Sequence, residues 1–217
     1  MLNNIKLAVF DLDGTLLQSR DTIWFASVKT FEHLGMKVDF PLHELEKRIG
    51  AHFQDIFDEL GISVPDIEEY IEIYKGYYMQ YMDKTVYYPG AKETVQALRD
   101  QGIKTAILTT KAQSQVTRIM EYLGDSDLFE VIMGRRPGMK IKPDAEPLVY
   151  IANELNVPLS ETVMIGDSEF DINCGKNAGA ATIAVSYGYR SIEIIKDAAP
   201  DYICDTAPQI LALFNHR

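Results

Sequence analysis

Ile5-Lys6-Leu7-Ala8-Val9-Phe10-Asp11-Leu12-Asp13-Gly14-Thr15 is the stretch that decides the fold of this 217-residue chain. Residues 5–10 are mostly apolar and read as a short buried strand. Asp11 and Asp13 then leave the carboxyl end of that strand, which is where open α/β sheets carry their chemistry. Gly14 lets the backbone turn away sharply, and Thr15 adds a hydroxyl beside the acids. Two carboxylates at i and i+2 suit a nucleophile, an acid/base and a shared grip on a divalent cation. A solvated turn made of ordinary turn residues is the competing reading, so the remaining strand ends must discriminate.

Working outward, residues from about 21 to 83 read as helical, with no convincing strand. Trp24, Val28, Phe31 and Leu34 fall at helical spacing before Gly35, and Ile49, Phe53, Ile56, Phe57 and Leu60 before Gly61. A third stripe starting at Asp66 carries Ile67, Ile71, Tyr74, Tyr78 and Met82. After the turn signal Tyr88-Pro89-Gly90 the texture changes. Strands are expected over 103–108, 129–133, 162–165 and 181–185, with Tyr202-Ile203 as a last edge strand. Helical stripes around Val95 and Leu98, Val116 to Leu123, and Leu148 to Leu155 alternate with them. Such alternation indicates βαβ units. The isolated first strand must join that sheet, because one strand is not stable alone. The expected architecture is a Rossmann-like α/β fold, a parallel sheet flanked by helices, built from residues 1–17 and 88–217. Residues 18–87 form a helical cap inserted over the carboxyl edge.

Three further strand ends carry suitable residues. Thr109-Thr110-Lys111 follows an apolar strand, where a phosphate would meet backbone N–H groups, a helix dipole and a hydroxyl. A plain Thr helix cap is the alternative there. Lys140-Ile141-Lys142-Pro143-Asp144 opens another helix, and a lysine near paired carboxylates can neutralise a nucleophile and bind a phosphoryl group. Gly166-Asp167-Ser168-Glu169-Phe170-Asp171 repeats the opening theme, with Asp167 and Asp171 one helical turn apart. A capping role explains one of these acids but not the pair.

Composition narrows the partners. A net charge of −11 argues against nucleic acid and anionic membrane, both of which call for a basic footprint. Two cysteines without metal-ligand spacing, scattered histidines at 33, 43, 52 and 216, and no apolar run long enough to cross a membrane point to a cytoplasmic protein.

Taken together, the chain resembles the haloacid dehalogenase superfamily of phosphotransferases over nearly its whole length. Asp11-Leu12-Asp13-Gly14-Thr15 matches the first motif, Thr109 the second, Lys142 the third, and Gly166 to Asp171 the fourth. The insert resembles the small helical cap of the phosphoglycolate phosphatase and β-phosphoglucomutase branch, as do Tyr88-Pro89-Gly90 and Tyr187-Gly188-Tyr189. The resemblance implies that Asp11 is the nucleophile that becomes an aspartyl-phosphate and that Asp13 is the acid/base. Mg²⁺ would be held by Asp11, the carbonyl of Asp13 and Asp167. Thr109, Thr110 and Lys142 would bind the phosphoryl oxygens, and Asp171 would orient Lys142 or a metal-bound water. An acid/base at Asp13 suits phosphate esters and disfavours dehalogenation. Gln18, Thr110 and the Asp-Ala-Glu-Pro continuation after Pro143 depart from the branch's usual phrases and leave the subfamily open.

The implied activity is a Mg²⁺-dependent phosphatase for a small phosphorylated metabolite, acting as a monomer or homodimer. The alternatives are a phosphosugar mutase like β-phosphoglucomutase, an inorganic pyrophosphatase or, outside enzymes, a phospho-accepting receiver domain. Arg48, His52 and Gln54 are candidate cap contacts to substrate, a solvated helix boundary being the competing reading. The tyrosines at 70, 74, 77, 78, 81, 87 and 88 read as packing and Cys174 and Asn177 as structural, while Arg135-Arg136 could attract an anion but reads first as a surface loop pair.

Overall fold

The computed structural model describes residues 2 and 4–214; His216 lies outside them. From the N-terminus, β1 (Leu7–Phe10) runs into the Asp11–Thr15 turn and then into β2 (Leu17–Gln18). Four helices follow: α1 (Arg20–His33), α2 (Leu42–Glu46), α3 (Phe53–Leu60) and α4 (Ile67–Gln80). The chain returns along β3 (Val86–Tyr87), which pairs antiparallel with β2, so the insert leaves and re-enters through one two-stranded ribbon. The alternating half comprises α5 (Ala91–Asp100), β4 (Lys104–Ala112), α6 (Gln113–Leu123), β5 (Val131–Arg135) and α7 (Glu146–Glu154). It continues through β6 (Thr162–Gly166), α8 (Glu169–Ala178), β7 (Ala181–Val185), α9 (Ile192–Asp197), β8 (Tyr202–Cys204) and α10 (Ala207–Ala212).

Six strands form one sheet in the order β5-β4-β1-β6-β7-β8, every pairing parallel. The first strand is therefore central. Its residues alternate between faces: Ala8 and Phe10 pack with Ile107, Ile165 and Ile183, whereas Leu7 and Val9 pack with Leu108, Met164 and Ile151. A strand covered on both faces reads as continuously apolar, which is why residues 7–10 show no polar alternation. After β5 the chain crosses to the other side of β1, so strand order reverses there, and the crevice at such a reversal is where α/β sheets bind ligands.

The insert is held by aromatic packing, mostly edge to face. Phe57, buried at 1% exposure, sits 4.9 Å from Tyr70, and Phe53 sits 4.7 Å from Tyr74, ring centre to ring centre. Phe31 joins them at 5.1 Å from Tyr70. The packing expected of Tyr70, Tyr74 and Tyr78 is what the structure shows. Asp66 caps α4, its Oδ1 accepting from Glu68 N at 2.9 Å.

Four expectations need correction. Thr109-Thr110-Lys111 does not start a helix: the strand continues through Ala112 with a register shift after Leu108, and α6 begins only at Gln113. Ile49 precedes α3 instead of lying on it. Residues 140–144 form a loop, with α7 starting at Glu146. Arg135 belongs to β5, not to a surface loop, because pairing with Ala112 extends that strand beyond Met133.

Candidate active site

Register places the acids. Phe10 pairs with Ile107 on one side and Ile165 on the other, so Asp11 emerges between β4 and β6, its N–H donating to Ile165 O at 2.8 Å. Strand β6 ends one residue later and delivers Asp167 to the same edge. Asp171 stands in the first turn of α8, where Ser168 N and Oγ donate to its Oδ2 at 3.1 and 2.6 Å in a capping box.

Lys142 reaches this group from the loop before α7. Its Nζ donates to Asp11 Oδ1 at 2.6 Å, Asp171 Oδ1 at 2.5 Å and Leu108 O at 3.1 Å. That loop is pinned by α8: the Cys174 thiol donates to Asp144 O at 3.2 Å and Asn177 Nδ2 to Pro143 O at 2.9 Å. Asp171 therefore both caps its helix and positions the lysine.

Asp13 is braced separately. Lys111 Nζ lies 2.8 Å from its Oδ2, and Ser19 Oγ donates to its Oδ1. The Lys111 ammonium also sits 4.7 Å above the Tyr78 ring centre. Neither Lys111 nor Ser19 was singled out from the sequence. Lys111 directly follows the two threonines, but only the bulged continuation of β4 turns it toward Asp13. Thr109 is buried, with its hydroxyl accepting from Lys111 N at 3.3 Å, while Thr110 Oγ1 donates across to Gly50 O of the insert at 2.9 Å.

Electrostatics follow from burial. Loss of solvent raises the Asp11 carboxyl to about 7, opposed by the Lys142 charge. Asp167 is likewise held well above the ordinary carboxylate range, by burial first and then by Asp11 and Asp171. Burial works against the Lys142 ammonium, yet Asp11 and Asp171 together push its pKa above the usual lysine value. For Lys111 too, burial is outweighed, chiefly by Asp13.

The donor set fits a divalent cation. Carboxylate oxygens of Asp11, Asp167 and Asp171 lie within 4.8 Å of one another, all buried. Once all four carboxylates are ionised, as a bound cation would favour, they exceed the two ammoniums by two charges, and hard oxygen ligands suit Mg²⁺. Asp171 is the weakest candidate of the three, because both its oxygens already accept hydrogen bonds. Tyr189 N donates to Asp167 Oδ2 at 2.7 Å, and Gly14 and Gly188 leave room for that carboxylate. A Cβ on Gly14, whose φ is +88°, would stand 2.2 Å from Asp167 Oδ2, and one on Gly188 2.4 Å from the same atom.

A cavity of about 70 Å³ opens between the insert and the sheet edge, lined by Asp13, Thr110, Lys111, His52 and Arg135 among others. Of the three insert residues expected near substrate, only His52 lines it. Arg48 is engaged at 2.8 Å by both Glu44 and Glu59, and Gln54 by Asp58 at 2.8 Å, all within the insert. Arg190 ties the two parts together, pairing with Glu169 at 2.8 Å and donating to Lys47 O.

A parallel sheet whose carboxyl edge gathers four carboxylates and a buried lysine defines an α/β enzyme of the strand-edge carboxylate type. The sequence profile of haloacid dehalogenase-like hydrolases matches residues 8–185, and the chain belongs to that family, as the motifs led us to expect. It is a hydrolase, which sets the receiver-domain alternative aside. It is 34% identical over 209 residues to pyrophosphatase PpaX of Halalkalibacterium halodurans, covering 95% of each chain. It is 28% identical to a phosphoglycolate phosphatase of Pseudomonas savastanoi, covering 95% of this chain and 78% of that one. In fold it superposes on a haloacid dehalogenase-like hydrolase of Streptococcus pneumoniae with a TM-score of 0.85 at 24% identity, covering 97% and 98% of the two chains. Among the described residues, no helix is long and apolar enough to cross a membrane.

Proposed function

We propose that this chain is a phosphatase for small phosphorylated metabolites, working through an aspartyl-phosphate on Asp11. The observation that carries this reading is Asp11 seated against Lys142 with a second acid, Asp13, braced two residues away. In the first step an Asp11 oxygen attacks phosphorus, the bond from phosphorus to the leaving oxygen breaks, and Asp13 gives its proton to that oxygen. In the second, Asp13 takes a proton from water as the water oxygen attacks phosphorus. Phosphate leaves and the Asp11 carboxylate is restored. Lys142 carries the charge of the phosphoryl oxygens and Thr109 offers its hydroxyl proton, whereas the Thr110 hydroxyl is already committed to Gly50 O.

Asp11, the main-chain carbonyl of Asp13 and Asp167 would hold Mg²⁺. The ion would supply charge neutralisation for the transferring group. Residues 18–87 serve as a cap over a core of residues 1–17 and 88–217. The single ribbon of β2 and β3 supports this, as do the Thr110–Gly50 and Arg190–Lys47 contacts. Two unpaired, buried cysteines, Cys174 and Cys204, support a cytoplasmic setting.

Pyrophosphate is the second reading, favoured by the pyrophosphatase at 34% identity. The test is phosphate release from 2-phosphoglycolate, sugar phosphates, nucleotides and pyrophosphate, with Mg²⁺ and with EDTA. We expect Mg²⁺-dependent turnover that D11N abolishes, with an unchanged far-ultraviolet circular dichroism spectrum. Turnover surviving in D11N would sink the covalent mechanism, and no release from any substrate would sink the phosphatase reading.

A further inference from the structure

The cavity beside Asp13 has two polar ends. At one end Lys111 is neutralised by Asp13. At the other stands Arg135, half-buried at the tip of β5, which pairs with no carboxylate among the described residues. Its neighbour is differently placed: Arg136 donates to Gln113 Oε1 at 3.0 Å and its guanidinium lies 5.8 Å from the Tyr150 ring centre. Parallel pairing of Arg135 with Ala112 fixes its backbone next to the strand that carries Thr110 and Lys111. The unpaired cation is thus anchored to the sheet and faces the same space as the acid/base.

His52 supplies a second donor from the insert. Its Nδ1 accepts from Gln54 N at 3.3 Å as the cap of α3, which leaves the ring proton on Nε2. That Nε2 is buried and has no hydrogen-bond partner. An orphaned buried donor costs free energy unless a ligand satisfies it. Burial, and then the nearby Arg135 charge, lower the basicity of His52, so it acts as a neutral N–H donor near pH 7. The walls between are apolar, with Ile23, Leu45, Ile49 and Ile56 among them.

We infer that Arg135 and the Nε2–H of His52 form a second anion-binding point, which selects substrates whose leaving group carries its own negative charge. That group is a carboxylate or a second phosphoryl group on a very short connection. The inference rests on the phosphatase reading and assigns its specificity to both the sheet and the insert. A polyhydroxy leaving group would find few hydrogen-bonding partners along the apolar walls.

The experiment compares 2-phosphoglycolate and inorganic pyrophosphate with ethyl phosphate, which lacks the second charge but is similar in size to phosphoglycolate. In the wild type, the ratio of kcat/KM between the two anionic substrates tells which source of the second charge is preferred. For R135Q we expect kcat/KM on the anionic substrates to fall roughly 10- to 100-fold, the usual weight of a hydrogen bond to a charged group. The loss should lie mainly in KM, turnover of ethyl phosphate should stay within about twofold, and R135K should recover most of the loss. An equal loss on all three substrates, or none on the anionic pair, would overturn the inference.

A binding arm keeps it separate from turnover. By calorimetry in Mg²⁺ buffer, D11N should bind 2-phosphoglycolate at least about tenfold more tightly than inorganic phosphate. Adding R135Q should erase that advantage without weakening phosphate. If the wild type hydrolyses nothing, the phosphatase reading fails, while this binding difference still decides the anion point. A D11N protein that binds both ligands equally would refute it.

Discussion

The carboxyl edge of the sheet and the helical insert are held together by opposite means. At the edge, Asp11, Asp167 and Asp171 are buried at no more than 7% exposure around Lys142, whose ion pairs join parts of the chain far apart in sequence. In the insert, Phe53, Phe57, Tyr70 and Tyr74 pack ring against ring, stacked or edge to face, and its charged side chains, such as Arg48, pair within the insert near the surface. The edge is electrostatically demanding and tolerates few changes, whereas the insert is an apolar packing problem with many solutions.

Substitutions can break or sharpen that contrast. The largest effect is expected at the edge. K142M leaves Asp11 and Asp171 as unpaired buried charges and removes the cation facing the phosphoryl group. Phosphate release should fall at least about a thousandfold, and denaturant melts should show a loss on the order of 3–5 kcal/mol. A K142M protein of wild-type stability would mean that these acids are protonated or solvated in the fold.

In the insert, F57A deletes the ring at the centre of the stack. We expect about 3–5 kcal/mol of destabilisation, with the sheet's near-native circular dichroism retained at low temperature. Equal activity loss in F57A and K142M would erase the distinction between the two regions.

Metal and pH test the edge alone. In the folded chain Asp11 titrates near 7, above its unfolded value of 3.8, so between these pH values the folded form holds more protons. Stability of the metal-free protein should therefore fall as pH rises from about 4 to 7, and Asp167, also raised, acts in the same direction. A bound divalent cation takes the place of those protons. Millimolar Mg²⁺ should then raise the melting temperature more at pH 8 than at pH 5, by about 5–10 °C if it is present at 100 times its dissociation constant. Equal stabilisation at both pH values would argue against carboxylate ligands that must first lose protons. The smallest effect is expected of R48A, whose partners Glu44 and Glu59 are surface acids. It should change stability by less than about 1 kcal/mol and turnover by less than about twofold.

Most of the fold was legible because parallel strands covered on both faces leave an apolar run, and helices leave a stripe ended by glycine. Residues 181–185 and the start of α4 at Asp66 fell where the pattern placed them. The β2–β3 ribbon was not legible, since two-residue strands carry no periodicity. Nor was the extension of β4 through Ala112: it depends on pairing with Arg135, a residue more than twenty positions away. At the site, Asp11, Asp13, Lys142, Asp167 and Asp171 stood out because several segments following apolar strands each offered a residue suited to a phosphoryl group or a divalent cation. Lys111, Ser19 and Tyr189 did not, as each owes its position to a partner from another element; Arg135 reads in the sequence as an anion attractor or a surface loop residue, and only its pairing with Ala112 decides between them.

The sequence by itself determined the sheet, its acid-bearing edge and the family, because short-range patterning and strand-end chemistry are written in consecutive residues. Tertiary structure alone decided that Lys111 braces Asp13, that Arg48 and Gln54 are occupied within the insert, and that Arg135 with His52 faces the cavity. The physical reason is that a charged side chain's role depends on which counter-charge reaches it first, and only the packed chain sets those distances.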